Sequence, residues 1–321
     1  MARVCTALTF KDRLGACLVR WGIGRMKYMV PPGLYAIGNP ADSDPVLVTA
    51  NYKMSYDAVR SALTGRNVWL LVLETYGINV WCAAGKGTFG TGELVRRIAS
   101  SRLSKAVSHR RVILPILGAA GVSAHEVARR SGFSVSYAAI RAADLPRYLD
   151  NGLVTTEAMR KLSFTFYERL VLIPVELVLA HKSIALAGGG LFLLFAVSGG
   201  PAAGVTAFLA WLGACLAGII AGPALLPWLP GRSFALKGVE AGLLWCIAFY
   251  MLAGGDAWSG WVTAALFLAL PAASAFYTLN FTGCTPFTSV SGVKKEMRIA
   301  IPAMGGAIIL GLVLLAVGRF L

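Results

Sequence analysis

The stretch NVWCAAGKGTFGTGEL, residues 79–94, sets one cysteine, Cys82, between an apolar run and a glycine-rich loop. A thiol in that setting has two fates: a small packing residue that closes a strand against a helix, the commonest use of a free cysteine, or a soft anionic metal ligand. The loop adds Gly85, Gly87 and Gly90, which let backbone approach a ligand with no Cβ in the way. It is not a Walker phosphate loop, because Val80 stands where the first glycine belongs and Lys86 is followed by Gly87 rather than Ser or Thr. Gly85-x-Gly87-x-x-Gly90 does have the form of a dinucleotide fingerprint. About 20 residues further on, where an acidic side chain should hold the ribose, the chain has His109, Arg110 and Arg111. That disfavours a nicotinamide dehydrogenase. His109 among arginines and His125 on an amphipathic segment read as solvated side chains rather than metal ligands. The six cysteines, at 5, 17, 82, 215, 246 and 284, form no CxxC and no Cys/His cluster. Neither a disulfide framework nor a built-in zinc or iron–sulfur site is supported, and Cys215 and Cys246 lie in apolar segments as packing residues.

Positioning such a thiol requires a scaffold, and the flanking sequence supplies one. PVLVTA (45–50), NVWLLVLET (67–75) and RVILPIL (111–117) read as buried strands, and SYDAVRSAL (55–63), GTGELVRRIASS (90–101) and SAHEVARRSG (123–132) as helices. The alternation predicts an α/β domain with a parallel, Rossmann-like sheet and helices on both faces. Ligands of such sheets gather at the carboxyl ends of the strands. The segments to watch are therefore TANYKMS with Thr49 and Asn51, NVWCAAGKGTFG, and LGAAGV with Gly118.

Composition divides the chain in two. It is 57% hydrophobic and only 14% charged, with a mean hydropathy of +0.67, yet 22 of its 30 lysines and arginines and 10 of its 15 acids fall in residues 1–165. A basic soluble domain (1–165) is expected, then an interfacial helix (166–182, centred on ERLVLIPVELVLAHK), then an all-α membrane domain (183–321). The basic excess suits anionic lipid on the cytoplasmic face better than a nucleic acid. Charges at Arg3, Lys11, Arg13 and Arg20 interrupt every early apolar run, so the N-terminus does not read as a secretory signal. Five apolar stretches, 183–199, 202–226, 234–253, 258–279 and 298–318, are each near the ~20 residues that cross a bilayer. Arg232 with Lys237, and VKKEMR, mark the second and fourth connections as cytoplasmic. The N-terminal domain is then cytoplasmic and the C-terminus lies on the opposite side, with Arg319 a mild exception. His181 and Lys182 read as headgroup anchors, and Lys237 and Glu240 as an i, i+3 ion pair.

NVWCAAGK closely resembles the cap-helix signature of the HgcA family, the membrane-anchored corrinoid proteins of microbial mercury methylation. PPGLYAIGNP, PVLVTANYKMS, GTFGTGEL and HRRVILP resemble the corrinoid domain in the large subunit of the corrinoid iron–sulfur protein, and FTGCTPFTSVSGVKKEMR resembles the last cytoplasmic loop of the mercury-methylating family. The resemblance implies a cobalamin cofactor with Cys82 as the lower axial cobalt ligand. It also implies corrin contacts from Thr49, Asn51, Asn79, Val80, Trp81, Ala83, Ala84, Gly85, Lys86, Gly87, Thr88, Phe89, Gly90 and Gly118, with Trp81 and Phe89 equally readable as core. A departure stands at Ile116, where a glutamine is expected, so any hydrogen bond from that position to the corrin edge would be missing. The implied activity is transfer of a methyl group from a folate-linked donor, by way of the cobalt, to Hg(II). Low-potential electrons would come from a ferredoxin-like partner with 4Fe–4S clusters, since this chain has no such motif. Two other readings stand beside it: a general corrinoid methyl carrier of the acetyl-CoA and one-carbon pathway, and a membrane transporter or receptor with a nucleotide-binding soluble domain.

Overall fold

The computed structural model describes the backbone of residues 2–320 and side chains as far as Gly318, so the expected exception at Arg319 lies outside the described side chains. The chain forms two compact units, Met1–Ser163 and Phe164–Leu321.

The first unit is built on six strands, β1 (Ala2–Val4), β2 (Gly33–Ile37), β3 (Val46–Ala50), β4 (Val68–Leu73), β5 (Arg111–Leu114) and β6 (Ser134–Tyr137), in the spatial order β1-β2-β4-β3-β5-β6. β3 and β4 are apolar at almost every position and are buried along their whole length. That is the signature of central strands covered on both faces. The sheet is mixed rather than parallel as expected: β2 runs antiparallel to β4, with Gly33 opposite Val72 and Ile37 opposite Val68, whereas the β3–β4, β3–β5, β5–β6 and β1–β2 pairs are parallel. The cause is the connection 38–45, which holds no helix and is too short for a parallel crossover of a dozen or more residues.

Four helices matter to the site and its surroundings: α1 (Phe10–Arg20), α2 (Lys53–Ala62), α3 (Val80–Lys86) and α4 (Thr91–Ser100). The expected helices over 55–63 and 90–101 correspond to α2 and α4, and that over 123–132 to Ala124–Ser131. The expected strand over 111–117 stops at Leu114, because Pro115 has no N–H to donate to a ladder and Ile116–Gly121 then wind into a 3-10 turn.

In the second unit, helices long and apolar enough to cross a membrane number four among the described residues, Phe166–Ala224, Phe234–Leu252, Gly260–Gly283 and Val290–Gly318, where five were expected. The first two expected stretches run on as one helical segment, Ile173–Leu216, interrupted at Gly200 by a left-handed backbone (φ 83°) ahead of Pro201. Trp211 Nε1 donates to the Ile184 carbonyl at 3.1 Å. A straight helix would hold those residues about 40 Å apart, so the segment doubles back at Gly200–Pro201 into two antiparallel arms. The expected interfacial helix over 168–182 is also divided: Phe166–Leu170 is a short capped helix, and Ile173, with Pro174 in its first turn, begins the long segment. His181 and Lys182 are exposed on it, while Cys215 and Cys246 are wholly buried. The Lys237–Glu240 pair does not form. Lys237 Nζ instead donates to the carbonyls of Leu226 and Leu229, orphan acceptors where the preceding helix ends, and Glu240 Oε2 is buried without a hydrogen-bond partner.

Candidate functional site

β3, β4 and β5 end side by side, and one asparagine ties the first two ends together. Asn51, 1% exposed, donates its backbone N–H to Leu73 O at 2.9 Å and its Nδ2 to Glu74 Oε1 at 2.7 Å. Its Oδ1 accepts from the N–H groups of Thr75 (3.0 Å) and Gly77 (3.2 Å), with the Thr75 hydroxyl 2.8 Å away. Glu74 Oε1 also accepts from Tyr76 N–H, and the Glu74 N–H is taken up by Glu93 Oε1 of α4 at 2.8 Å, a carboxylate itself held by Arg96 and Arg97. These bonds hold the turn after β4 in a tight shape, with left-handed backbone at Tyr76 (φ 55°) and Gly77 (φ 70°).

That turn delivers Asn79 as the N-cap of α3. Asn79 Oδ1 accepts from the Cys82 N–H at 2.9 Å, and Gly87 (φ 80°) closes the far end. Val80, Ala83, Ala84 and Phe89 face the interior and join the core cluster on that side of the sheet. The outward face carries Trp81 and Cys82, both part-exposed, beside exposed Gly85 and Lys86. A Cβ built on Gly85 would meet nothing within 4 Å, so the surface next to the thiol is open.

Beneath α3 lies the turn Ile116–Gly121, and the contact depends on two glycines. A Cβ on Gly118 would come within 2.5 Å of the Phe89 ring, and one on Gly121 within 2.2 Å of Phe89 O and 2.9 Å of Ala84 Cα. Ala119 and Ala120 of the same turn are exposed, giving a low, small-residue surface next to the cap helix.

Of the residues singled out from sequence, the structure brings Asn79, Trp81, Cys82, Gly85, Lys86, Gly87 and Thr88 to the exposed or part-exposed side of α3 and its loop, and places Val80, Ala83, Ala84, Phe89, Gly90 and Gly118 underneath, buried. Thr49 lies inside β3 opposite Val72, 1% exposed, and Asn51 is engaged in the turn just described. Ile116 is part-exposed at the start of the 3-10 turn. His109 stands apart, with Nε2 2.9 Å from Asp44 O, and His125 is exposed. The residues whose role sequence reasoning missed are Glu74, Thr75 and Glu93: the pairing of β3 with β4 brings Glu74 and Thr75 to Asn51, and the packing of α4 brings Glu93 to the Glu74 N–H. Among the described residues no group of three or more His, Cys, Asp or Glu is placed to hold a metal ion. Cys82 is thus one protein donor at an open face.

Residues 24–137, which contain this entire site, match the family described as CdhD, the CO dehydrogenase/acetyl-CoA synthase delta subunit. The chain is similar to the gamma subunits of acetyl-CoA decarbonylase/synthase complexes: 35% identical over 132 residues to that of Methanopyrus kandleri (40% of this chain, 28% of the relative), and 36% identical over 97 residues to that of Archaeoglobus fulgidus (30% and 21%). To gamma subunit 2 of Methanosarcina thermophila it is 34% identical over 99 residues (30% and 21%). The chain spans between about a fifth and somewhat over a quarter of the length of these relatives.

Proposed function

We propose that this chain is a membrane-attached corrinoid protein of methyl transfer in which Cys82 would be the protein's ligand to cobalt. The observation that carries this reading is the placement of Cys82 on the outward face of a capped helix, beside the open space at Gly85. Similarity of the surrounding 24–137 segment to subunits of acetyl-CoA-forming complexes supports it. The site fits such a cofactor: a metal that arrives inside its own macrocycle needs a single protein donor, and the exposed Gly85, Gly87, Ala119 and Ala120 form a low surface that a flat ring can approach.

When bound, the corrinoid supplies a cobalt centre that takes up a methyl group and gives it up again. The chain's own residues set the terms. Asn79 fixes the first turn of α3 and with it the direction of Cys82. The Asn51 turn and the Gly118 and Gly121 contacts hold α3 against the sheet, so the donor atom is presented from a rigid support. A thiolate is a stronger and softer donor than an imidazole, so Cys82 would hold a soft metal centre and enrich it in electron density. Hg(II), electron-poor and thiophilic, is the acceptor that suits such a donor, and methylation of Hg(II) is the activity we assign. A ferredoxin-like protein with 4Fe–4S clusters is the electron donor and a folate-linked system the methyl source. A second reading, a methyl carrier serving an acetyl-CoA-forming complex, is favoured by the names of the relatives and uses the same site. The membrane unit is read as five crossings, its first segment counted as two arms about Gly200, with the basic connections and the first unit on the cytoplasmic side.

The test is anaerobic reconstitution of the full chain in detergent with a corrinoid, followed by visible spectroscopy and methyl transfer to Hg(II) or to an acetyl-CoA-forming partner. Corrinoid binding with mercury methylation supports the assignment; transfer only to the acetyl-CoA-forming partner supports the carrier. Nucleotide affinity without a cobalt spectrum would overturn both in favour of a nucleotide-binding transporter or receptor.

A further inference from the structure

Outside the matched segment, α1 has an apolar face that the described structure leaves exposed. At 3.6 residues per turn, Phe10, Leu14, Cys17, Leu18 and Trp21 form one stripe, and all are exposed, Phe10 to 80% and Trp21 to 46%. The opposite side is fastened to the domain. Val19 is 2% exposed, a Cβ on Gly15 would already stand 2.6 Å from the Tyr28 hydroxyl, and the Asp12 carboxylate is held by Lys53 (2.5 Å), Arg60 (2.8 Å) and its own N-cap, Thr9. The apolar stripe therefore points outward by construction.

The charges around it have one sign. Of the seven charged side chains between residues 3 and 27, six are basic, and the one acid, Asp12, is turned inward. On the helix surface Lys11 borders one side of the stripe and Arg13 and Arg20 the other. The chain then continues with exposed Ile23 and Met26 set among Arg25 and Lys27. An apolar stripe with an aromatic at each end and basic side chains along both borders is the pattern of a helix lying flat in a membrane interface, its long basic side chains reaching back to the headgroups. Anionic lipid complements those charges, and the same chain carries helices long and apolar enough to cross a bilayer.

We propose that α1 is a membrane foot: Phe10, Leu14, Leu18 and Trp21 enter the headgroup region of an anionic bilayer while Lys11, Arg13 and Arg20 pair with lipid phosphates. This holds whatever ligand α3 carries, so it does not depend on the assignment above.

The full chain reconstituted in nanodiscs provides the test. Trp21 is one of eight tryptophans, so its emission is taken as the difference between the parent and Trp21→Phe. In discs of phosphatidylglycerol brominated high on the acyl chain, that difference should be strongly quenched relative to plain lipid. Quenching should be largely lost in brominated phosphatidylcholine, at about 1 M salt, where the Debye length falls to roughly 3 Å, and in Leu14→Glu/Leu18→Glu. The salt and lipid arms use the parent stripe, so they decide the matter even where the double variant unfolds. Trp21 emission equal in brominated and plain anionic discs would overturn the proposal and leave an acidic protein as the occupant of the stripe. Quenching indifferent to salt and headgroup charge would overturn it as well, since tethering by the spans would then suffice.

Discussion

At the scale of single residues, Cys82 is the side chain on which the assignment turns, and its surroundings separate binding from chemistry. The open surface beside it is made of small residues and backbone, so Cys82→Ala should leave corrinoid bound. It should abolish the sulfur–cobalt charge-transfer bands and most methyl transfer to Hg(II). Cys82→His offers a neutral, harder donor, and partial activity at best is expected. An alanine variant that methylates Hg(II) at the parent rate would reduce Cys82 to a packing residue. Whether a thiol packs or ligates was undecided by spacing alone, since both fates put a cysteine where a strand gives way to a helix. The outward direction of Cys82, opposite the buried Val80, Ala83 and Ala84, depends on the side of α3 that the sheet covers. Phe89 was equally readable either way and is fully buried against Gly118.

At the scale of elements, two devices hold helices in place. Asn51 supplies the acceptor for the Thr75 and Gly77 N–H groups, and Asn51→Ala leaves the buried Thr75 N–H and the part-buried Gly77 N–H without that acceptor. A loss of about 1–3 kcal/mol is expected at the usual cost of an unsatisfied buried group, measurable as a lower denaturation midpoint together with faster hydrogen exchange in 74–82. Retained protection in that segment would show that the turn stands without its asparagine. Asp12 does the same for α1. Its carboxyl is held well below the ordinary carboxylate range, chiefly by the hydrogen bond from Lys53, with burial opposing and Thr9 and Arg60 adding. A folded value below the unfolded one of about 4 means that the stabilisation is fully present above about pH 4 and is lost only as pH falls through the lower, folded value. Exchange in residues 10–20, corrected for intrinsic rates, should therefore not change between neutral pH and about pH 4.5, whereas Asp12→Asn should loosen α1 at neutral pH. Loosening of the parent between pH 6 and 4.5 would contradict this account. Sequence periodicity located α2, α4 and the central strands, because each buries a continuous or regular apolar pattern. It passed over β1, β2 and β6, most of whose positions are not fully buried, and α1, whose apolar stripe faces away from the core.

For the molecule as a whole, the membrane unit is held by close approach of backbones. Gly218 and Gly222 on one segment and Gly238 and Gly242 on the next are spaced four apart, and a Cβ at any of them would fall within 2.7 Å of the helix Gly260–Asn280, at Pro271, Ser274, Ala275 or Thr278. Small residues at such spacing are how helices associate where lipid removes the hydrophobic drive. Gly242→Leu forces a side chain into the Pro271 backbone and the Ser274 side chain and should cost about 1–3 kcal/mol or more. The thermal midpoint of the membrane unit should drop while the corrinoid spectrum of the first unit is retained. Loss of both together would show that the two units do not behave independently.

By itself the sequence determined the division into a basic α/β unit and an apolar helical unit and the central strands β3, β4 and β5, while the proposed site at Cys82 came from the resemblance of its flanking motif. The division and the strands follow from local composition and periodicity, which burial imposes on a regular element. Tertiary structure alone decided the antiparallel course of β2, set by the short connection 38–45, and the reversal at Gly200, where two apolar stretches meet without a charged break. It also decided the destination of Lys237, which reaches two orphan carbonyls rather than Glu240. The Asn51 turn belongs to the same group, for its bonds run between residues 23 to 26 positions apart. Polar partnerships of that kind leave no period in a sequence; they exist only once the sheet has set β3 beside β4.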